Sequence, residues 1–434
     1  MQYKLSTIFL TMQTLKLQIV CLLIALMLVA GNGVIFAADD MPLEMERDPV
    51  KGGLMHGYPL PDDKIVTLGN WVKFPQNRWA FRNIQALFPT SIVRRSVAPA
   101  PLIDGQRLAV EKLILNDASG KRMTGLEYIE RNYVDSLIVL HKGKVVYEGY
   151  FDSQKPYEQH LWMSASKSVT GLVALILADQ GVIDLEKTAG SYVKEIEDTP
   201  FGEAKLRDLL NMEVNVKLLF STALPNLPAS FWSNMNFLSG LKAPIAWQAG
   251  TNGERFFYIN NNPQTIGMVM TRVTGKSWAQ LVHEMIWSKL GTEEDANIIV
   301  DTEGQAMSAG GFSTTARDAA RFVDMIRNDG FFNGKQIVPK RVIAQMRQFY
   351  DNVERFSKGN VKAARAGMSY KYYWYQVNDG NNSLECIGIY GQRYHLNPKD
   401  GITIVQHASF TGPLTDGEEF GKLVGCITND LRSR

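Results

Sequence analysis

Strand-forming segments stand near both ends of this chain, with a long helix-rich stretch between them. Near the first end, the turn residues H-K-G-K separate the apolar runs S-L-I-V-L at 136–140 and V-V-Y-E-G-Y-F at 145–151. Toward the other end, strand-forming runs begin at Tyr370, Leu384 and Ile402, separated by N-D-G-N-N and N-P-K-D-G. These patterns predict an antiparallel hairpin and a three-stranded meander. Strands from both ends with helices between them predict an α+β domain with one shared antiparallel sheet.

The stretch between these strands has helical periodicity. Residues 163–180 are apolar on nearly all faces and end before Gly181, a residue type that commonly follows a helix C-terminus. Such a helix is expected to be buried. From 185 to about 350, helical periodicity is broken by Pro and Gly, which predicts an all-helical inserted domain. A last helix is expected from about residue 416 to 431.

The first forty residues have a different character. Two lysines precede an apolar run at 19–30, and the small residues Ala37 and Ala38 follow. This layout predicts a signal peptide over residues 1–38, and hence a periplasmic or secreted protein. The apolar run is too short for the roughly 20 residues of a membrane span. We therefore expect no stable membrane insertion after cleavage, and a membrane tether only if the segment stays uncleaved.

An N-terminal extension is expected over residues 39–115, packed on a main domain at 116–434. The extension is rich in Pro and turn residues. Its aromatic side chains either anchor it to the main domain or line the rim of a site; they are Trp71, Phe74, Trp79 and Phe81.

Charge and cysteine content restrict the partners. Loss of residues 1–38 removes two of the 46 basic residues and leaves 44 basic against 44 acidic side chains. A neutral chain has no electrostatic footprint for nucleic acid. Beyond Cys21, the cysteines are Cys386 and Cys426, and a chain of this size does not need a disulfide between them. The oligomeric state is not determined by the sequence.

A serine and a lysine that are candidates for catalysis lie at the start of the predicted buried helix. Residues 164–167 are S-A-S-K, and residues three apart share one face of a helix, so Lys167 can return its amine to the Ser164 hydroxyl. An amine held in an apolar wall favours its neutral form and can accept the serine proton. The alternative is a helix-capping serine with a surface lysine. Two further S-x-x-K spacings, at 191–194 and 239–242, lie in polar or Gly-rich segments and are attributed to chance.

A second motif, Y-I-N at 258–260, follows later in the chain. A phenol near an amine can pass a proton between nucleophile and leaving group, which makes Tyr258 a candidate proton shuttle. The Asn260 amide can bond both the lysine amine and a substrate carbonyl. Another Y-x-N, at 350–352, stands at an apparently exposed helix end and is taken as coincidental.

In these motifs the chain resembles the serine β-lactamase and D,D-peptidase superfamily, particularly its class C-like and 6-aminohexanoate-dimer hydrolase branches. The resemblance implies a β-lactamase/transpeptidase-like fold in which Ser164 is the nucleophile, Lys167 its base partner and Tyr258 the proton shuttle. The matching segments are W-M-S-A-S-K-S at 162–168, F-F-Y-I-N at 256–260, S-A-G-G-F-S-T-T-A-R-D at 308–318 and, in the extension, T-L-G-N-W at 67–71 and N-R-W-A-F at 77–81.

The family's third motif, K-T-G or H-x-G, has its best counterpart in I-Y-G at 389–391. Gly391 would let a substrate approach the backbone closely, and the Gln392 N–H would join that of Ser164 in an oxyanion hole. Ile389 stands where the family usually has a basic residue. This departure removes the cation that would pair with the carboxylate of a penicillin or a D-Ala-D-Ala peptide.

The resemblance implies an exported serine hydrolase that acts through an acyl-enzyme on a small linear amide or ester. One alternative is a β-lactamase or D,D-carboxypeptidase, and another is a non-catalytic penicillin-binding sensor or scaffold. Neither a P-loop nor an H-E-x-x-H motif is present, and the six histidines show no ligand spacing. We therefore expect no metal and no cofactor.

Overall fold

The computed structural model describes most of the chain beyond the predicted signal peptide. The described residues are 46–117, 119–217, 236–242, 246–247, 251–361, 367–415 and 417–434. They fall within one compact unit, Glu46–Arg434. Residues 1–38 lie outside them, so cleavage and export stay predictions. In these described ranges, no helix has the length and apolar character needed to cross a membrane.

Strands and helices, most of them short, alternate along the described chain. The strands are β1 (Thr90–Val93), β2 (Ile103–Asp104), β3 (Ile114–Asn116), β4 (Arg122–Thr124), β5 (Val134–His141), β6 (Lys144–Tyr150), β7 (His160–Leu161), β8 (Val216–Lys217), β9 (Ala246–Trp247), β10 (Ala296–Ile299), β11 (Phe312–Thr314), β12 (Phe331–Phe332), β13 (Lys335–Gln336), β14 (Ser369–Lys371), β15 (Trp374–Gln376), β16 (Leu384–Gly388), β17 (Gln392–Asn397) and β18 (Ile402–Ala408). The α-helices are α1 (Gln76–Ala80), α2 (Gly125–Arg131), α3 (Ser166–Asp179), α4 (Pro200–Glu203), α5 (Leu206–Leu210), α6 (Phe237–Lys242), α7 (Asn261–Thr274), α8 (Trp278–Met285), α9 (Ala316–Arg327), α10 (Lys340–Arg347), α11 (Val353–Ser357) and α12 (Gly417–Ser433).

The central sheet joins the two ends of the chain, as predicted. Its eight strands run in the order β14-β15-β16-β17-β18-β5-β6-β2, and all neighbours are antiparallel except the short edge pair β2 and β6. The pairing of β18 with β5 sets Ile402 opposite His141 and connects the C-terminal meander to the early hairpin. The α+β prediction is confirmed.

The C-terminal meander has more turns than predicted. The run that begins at Tyr370 folds back on itself, because Tyr372 and Tyr373 adopt positive φ angles of 54° and 67° between β14 and β15. A second unpredicted turn at Ile389–Gly391 separates β16 from β17. The meander therefore has five strands where three were predicted.

The segment from 185 to about 350 is not all-helical. It contains α4 to α10, but also β10 and β11, which pair in a four-stranded sheet of order β1-β10-β11-β7. These strands are short and fully buried, so an apolar run of this length cannot be told from a helix segment by periodicity. This small sheet matters for the site because β7 leads directly into the S-A-S-K segment.

Helix α3 is the buried helix that the sequence predicts. Every residue from Ser166 to Leu177 is buried, and Gly181 follows its end with a φ of 73°. Two of its polar side chains donate hydrogen bonds to backbone oxygens of distant segments: Ser168 Oγ to Tyr373 O at 2.7 Å and Thr170 Oγ1 to Ser308 O at 2.8 Å. Helix α3 thus forms a rigid base for the residues at its start.

Buried charges attach the N-terminal extension to the central sheet. Arg78 and Arg82, on or just after α1, both pair with the fully buried Asp135 of β5. Burial opposes ionisation of Asp135, but the two guanidinium groups more than offset it and hold the pKa of that carboxyl well below its usual range. Asn77 adds a hydrogen bond to Phe410 O at 2.8 Å. The N-R-W-A-F segment is therefore a structural attachment.

Replacing Asp135 with alanine is expected to destabilise the fold by about 3–5 kcal/mol, because it leaves Arg78 and Arg82 buried without their shared carboxylate. Urea unfolding measures the change. The matched control is Asp295→Ala, whose partner Arg94 is 67% exposed, and which should cost under about 1 kcal/mol. Equal losses in the two variants would contradict the attachment.

Candidate active site

Ser164 lies on a tight turn, Met163–Ala165, between β7 and α3. Met163 has a φ of 50°, a left-handed conformation that side chains rarely adopt. Ser166 braces this turn, since its hydroxyl donates to Met163 O at 2.7 Å and accepts from Phe312 N–H of β11 at 3.1 Å. The turn leaves Ser164 partly exposed at the start of a buried helix, where the partial positive charge of the helix N-terminus suits a developing anion.

Lys167 points back to Ser164, as the spacing predicts. Its Nζ lies 2.9 Å from Ser164 Oγ and 2.7 Å from Ala309 O, and the residue is only 1% exposed. Burial lowers the pKa of this amine well below its usual value, and no acidic group in the described part of the chain contributes to the shift. The neutral amine is therefore favoured, and a neutral amine can accept the serine proton.

Tyr258 completes the group. The Lys167 Nζ lies 4.8 Å from the centre of the Tyr258 ring. Burial raises the pKa of Tyr258 to about 12, although hydrogen bonding to Ser164 and Tyr375 opposes this rise. The phenol is therefore protonated at neutral pH. The structure brings the three predicted catalytic residues together.

Two residues that sequence reasoning missed hold Tyr258 in place. Asn360 brackets its backbone: Tyr258 N–H donates to Asn360 Oδ1 at 2.7 Å, and Asn360 Nδ2 donates to Tyr258 O at 2.9 Å. Tyr375, on β15, hydrogen-bonds the phenol itself. Neither carries a local motif, because both approach Tyr258 from distant segments of the chain.

Replacing Tyr375 with phenylalanine is expected to lower kcat about tenfold, since it removes one hydrogen bond from the proton-carrying phenol. Steady-state kinetics on an activated ester tests this. Tyr373→Phe is the matched control, because the Tyr373 hydroxyl is buried without a hydrogen-bond partner among the described residues. A tenfold loss in both variants would show that only packing of the aromatic rings matters.

Asn260 precedes α7 and lines the cavity beside Ser164. Its Oδ1 is buried and has no hydrogen-bond partner within the described ranges. The partners of the Lys167 amine are Ser164 and Ala309 instead, so the predicted bond from Asn260 to Lys167 is not formed. Asn260 Oδ1 is thus available to a donor on a substrate.

The third motif reaches the site through Ile389. The end of β16 approaches the nucleophile's turn so closely that a Cβ on Gly388 would lie 2.3 Å from Trp162 O. Ile389 and Tyr390 then line the cavity. Gly391, with a φ of 92°, packs against Ala408 instead.

Gln392 does not lie along this cavity. Its side chain is fully buried, donates to Ala408 O at 2.5 Å and accepts from Ala408 N–H at 3.2 Å. It connects β17 to β18. The third motif therefore contacts the cavity through Ile389 and Tyr390, and not through Gly391 or Gln392.

The cavity at Ser164 is almost entirely apolar and has a volume of about 60 Å³. Its lining residues are Trp71, Val72, Leu161, Met163, Ser164, Asn260, Ile299, Met307, Ala309, Gly310, Ile389 and Tyr390. The aromatic residues Tyr373 and Trp374 do not line it and are buried in the core.

Other sequence candidates have structural roles. Lys194 makes an exposed pair with Glu197, and Asn352 is buried rather than exposed and bonds Tyr370 O at 2.9 Å. Both described cysteines are free. Across the described ranges, no cluster of three or more His, Cys, Asp or Glu residues could hold a metal. The absence of a cofactor stays an expectation.

Comparisons with known proteins agree with this geometry. A Beta-lactamase family model matches residues 127–423. A 6-aminohexanoate-dimer hydrolase of Paenarthrobacter ureafaciens is 28% identical over 368 residues, covering 80% of this chain and 89% of the relative. A solved structure from Bacillus anthracis is provisionally named a 6-aminohexanoate-dimer hydrolase. It is 27% identical to this chain, the match covers 86% of this chain and 99% of that chain, and the two superpose with a TM-score of 0.77.

A more distant solved structure shows the shared fold alone. A family VIII carboxylesterase is 15% identical, covers 70% of this chain and 94% of its own, and has a TM-score of 0.54. The resemblance that the motifs indicate is confirmed by the family match, which spans more than half of the chain. The chain belongs to the Beta-lactamase family, as a serine hydrolase of the amidase and esterase type.

Proposed function

We propose that this enzyme hydrolyses a small linear amide or ester through an acyl-enzyme on Ser164. The observation that carries the proposal is the buried Lys167 amine, 2.9 Å from Ser164 Oγ. Burial lowers its pKa and favours the neutral amine, which can then accept the proton of that hydroxyl. The names of two relatives support a linear amide, since one is called a 6-aminohexanoate-dimer hydrolase and the other carries the same name provisionally.

The two pKa shifts divide the proton transfers between the side chains. Lys167 takes the Ser164 proton as Oγ forms its bond to the substrate carbonyl carbon, because Tyr258 is already protonated. When the carbon–nitrogen or carbon–oxygen bond breaks, the Tyr258 phenol gives its proton to the leaving amine or alkoxide. The Lys167 ammonium then reprotonates Tyr258. In the second half, Lys167 takes a proton from the water that attacks the acyl carbon, the bond from that carbon to Ser164 Oγ breaks, and the same proton returns to Oγ.

The carbonyl oxygen becomes negative in both halves and needs two donors. We assign these donors to the N–H groups of Ser164 and Ile389. Ile389 lines the cavity, whereas the neighbouring Tyr390 N–H donates to Pro413 O at 3.0 Å. This assignment replaces Gln392, which is outside the cavity lining.

The lactamase and peptidase alternative has less support. Substrates of those enzymes carry a carboxylate, and a cation normally pairs with it. In the described part of the cavity lining, no Lys or Arg is present, and Ile389 occupies the position where the family usually places one. The sensor alternative would keep Ser164 acylation but lack turnover.

Intact mass spectrometry of the wild type and Ser164→Ala tests the proposal. Each is exposed to a fluorophosphonate, a penicillin, p-nitrophenyl esters and short linear amides. We expect a single fluorophosphonate adduct that is absent from Ser164→Ala, and multiple turnovers of a linear ester or amide. Faster turnover of the penicillin would favour the lactamase alternative. A long-lived penicillin adduct with no hydrolysis of any substrate would favour the sensor.

A further inference from the structure

The wall of the apolar cavity comes from two separate parts of the chain. Met163, Met307 and Ile389 belong to the segment that matches the family. Trp71 and Val72 come from the N-terminal extension, which precedes that segment. Part of the site is therefore built by residues that the family match does not include.

The positions of the catalytic groups determine which part of a substrate enters this cavity. Tyr258 protonates the leaving group in the proposed mechanism, so the leaving group lies on the side of Ser164 that faces Tyr258. Neither Tyr258 nor Lys167 lines the cavity. The other substituent of the carbonyl carbon, the acyl chain, is the part that remains to fill it.

The chemistry of the lining restricts the acyl chain. Within the described residues, no Asp, Glu, Lys, Arg or His side chain lines the cavity. A charged group at the end of an acyl chain would lose water there and find only the neutral side chains of Asn260 and Ser164 as polar partners, with no opposite charge, which is unfavourable. Each methylene that the cavity buries instead favours binding by about fourfold.

Trp71 is held firmly enough to act as a fixed wall. It is 4% exposed and packs edge-on against Phe88 and Phe81, with ring centroids 5.1 Å and 6.0 Å apart. Helix α1 follows shortly after it, and Arg78 and Arg82 attach that helix to Asp135. The indole therefore cannot move aside without disturbing this packing.

We propose that the enzyme acts on esters and amides of short, uncharged aliphatic acids, and that Trp71 and Val72 of the extension set the length of the acyl chain. This inference rests on the proposed function, since it assumes an acyl-enzyme on Ser164. It differs from what the relatives' names suggest, because a 6-aminohexanoyl group carries a charged amine.

The test uses p-nitrophenyl esters from acetyl to dodecanoyl, together with the 6-aminohexanoyl ester. Wild type should favour hexanoyl over 6-aminohexanoyl at least tenfold in kcat/KM. Trp71→Ala should move the preferred chain length up by about two carbons or more, and Val72→Phe, at a partly exposed position, should move it down. Trp79→Ala is the matched control, since this half-buried aromatic residue of the same extension does not line the cavity.

An unchanged chain-length profile in both Trp71→Ala and Val72→Phe would overturn the inference, as would a wild-type preference for the charged ester. Fluorophosphonate titration of Ser164 in each variant shows that the compared enzymes are folded and reactive. If wild type fails this titration and hydrolyses none of the esters, the proposed function has failed. If the wild type reacts with the fluorophosphonate and hydrolyses the esters at rates that do not depend on chain length, only the acyl-site assignment has failed.

Discussion

Replacing Ser164 with alanine is expected to lower kcat by a factor of about 10⁶, the loss typical of a hydrolase without its nucleophile. The alanine cannot form the bond to the carbonyl carbon, and the Lys167 amine, 2.9 Å from the missing oxygen, then has no proton to take. The change removes one partly exposed atom from a turn braced by Ser166, so the fold should keep its stability. Stopped assays with a sensitive ester, beside urea unfolding, measure both quantities.

A matched control separates this role from a general effect of losing a serine. Ser191 belongs to another S-x-x-K spacing, and its Lys194 makes an exposed pair with Glu197. Ser191→Ala should leave kcat within twofold of wild type. Activity of Ser164→Ala above about one per cent of wild type would exclude Ser164 as the nucleophile.

The placement of Ser164 and Lys167 was predictable from their spacing together with the apolar helix that follows them. Two residues three apart on a helix share a face, and the apolar residues that follow show that the helix is buried. The sheet shared by both chain ends was also predictable, since alternating apolar runs around turn residues are local signals.

The turn at Tyr372–Tyr373 shows why the meander was misjudged. Both residues are strand-forming aromatics with positive φ angles, where turns usually place Gly or Asn. Distant groups make the turn possible: Tyr372 N–H donates to Asn211 Oδ1 at 3.1 Å, and Tyr373 N–H donates to Leu210 O at 3.1 Å. Gly171 allows the close approach, because a Cβ there would lie 2.3 Å from Tyr372 O.

The third motif was located correctly, and its Ile389 lines the cavity, but Gly391 and Gln392 do not. The close approach of Gly388 to Trp162 O brings Ile389 rather than Gln392 beside the turn at Ser164. The contact depends on how two segments more than 200 residues apart pack, which no local pattern encodes. The same is true of Arg78 and Arg82, whose shared carboxylate lies on a distant strand.

Replacing Lys167 with methionine is expected to lower kcat about 10⁴-fold, the upper range for loss of a general base, while making the fold more stable. The lysine is 1% exposed, and burial lowers its pKa well below the usual value. A methionine of similar length fills the same space without a basic nitrogen. The stability gain should be about 1–2 kcal/mol at neutral pH, as in other cases where an active site is maintained at a cost to stability.

The dependence on pH distinguishes a base from a structural amine. Wild-type kcat/KM should rise with pH through the lowered pKa of Lys167 and then stay level, because Tyr258 keeps its proton until about pH 12.

In unfolded chains this lysine binds a proton below its ordinary pKa, whereas the folded state favours the neutral amine. Folding therefore releases a proton, and the wild type gains stability as pH rises between the two pKa values. The stability advantage of Lys167→Met should accordingly shrink from pH 7 to pH 10 in urea unfolding. If the variant instead loses stability together with activity at both pH values, the amine supports the fold and the base must be sought elsewhere.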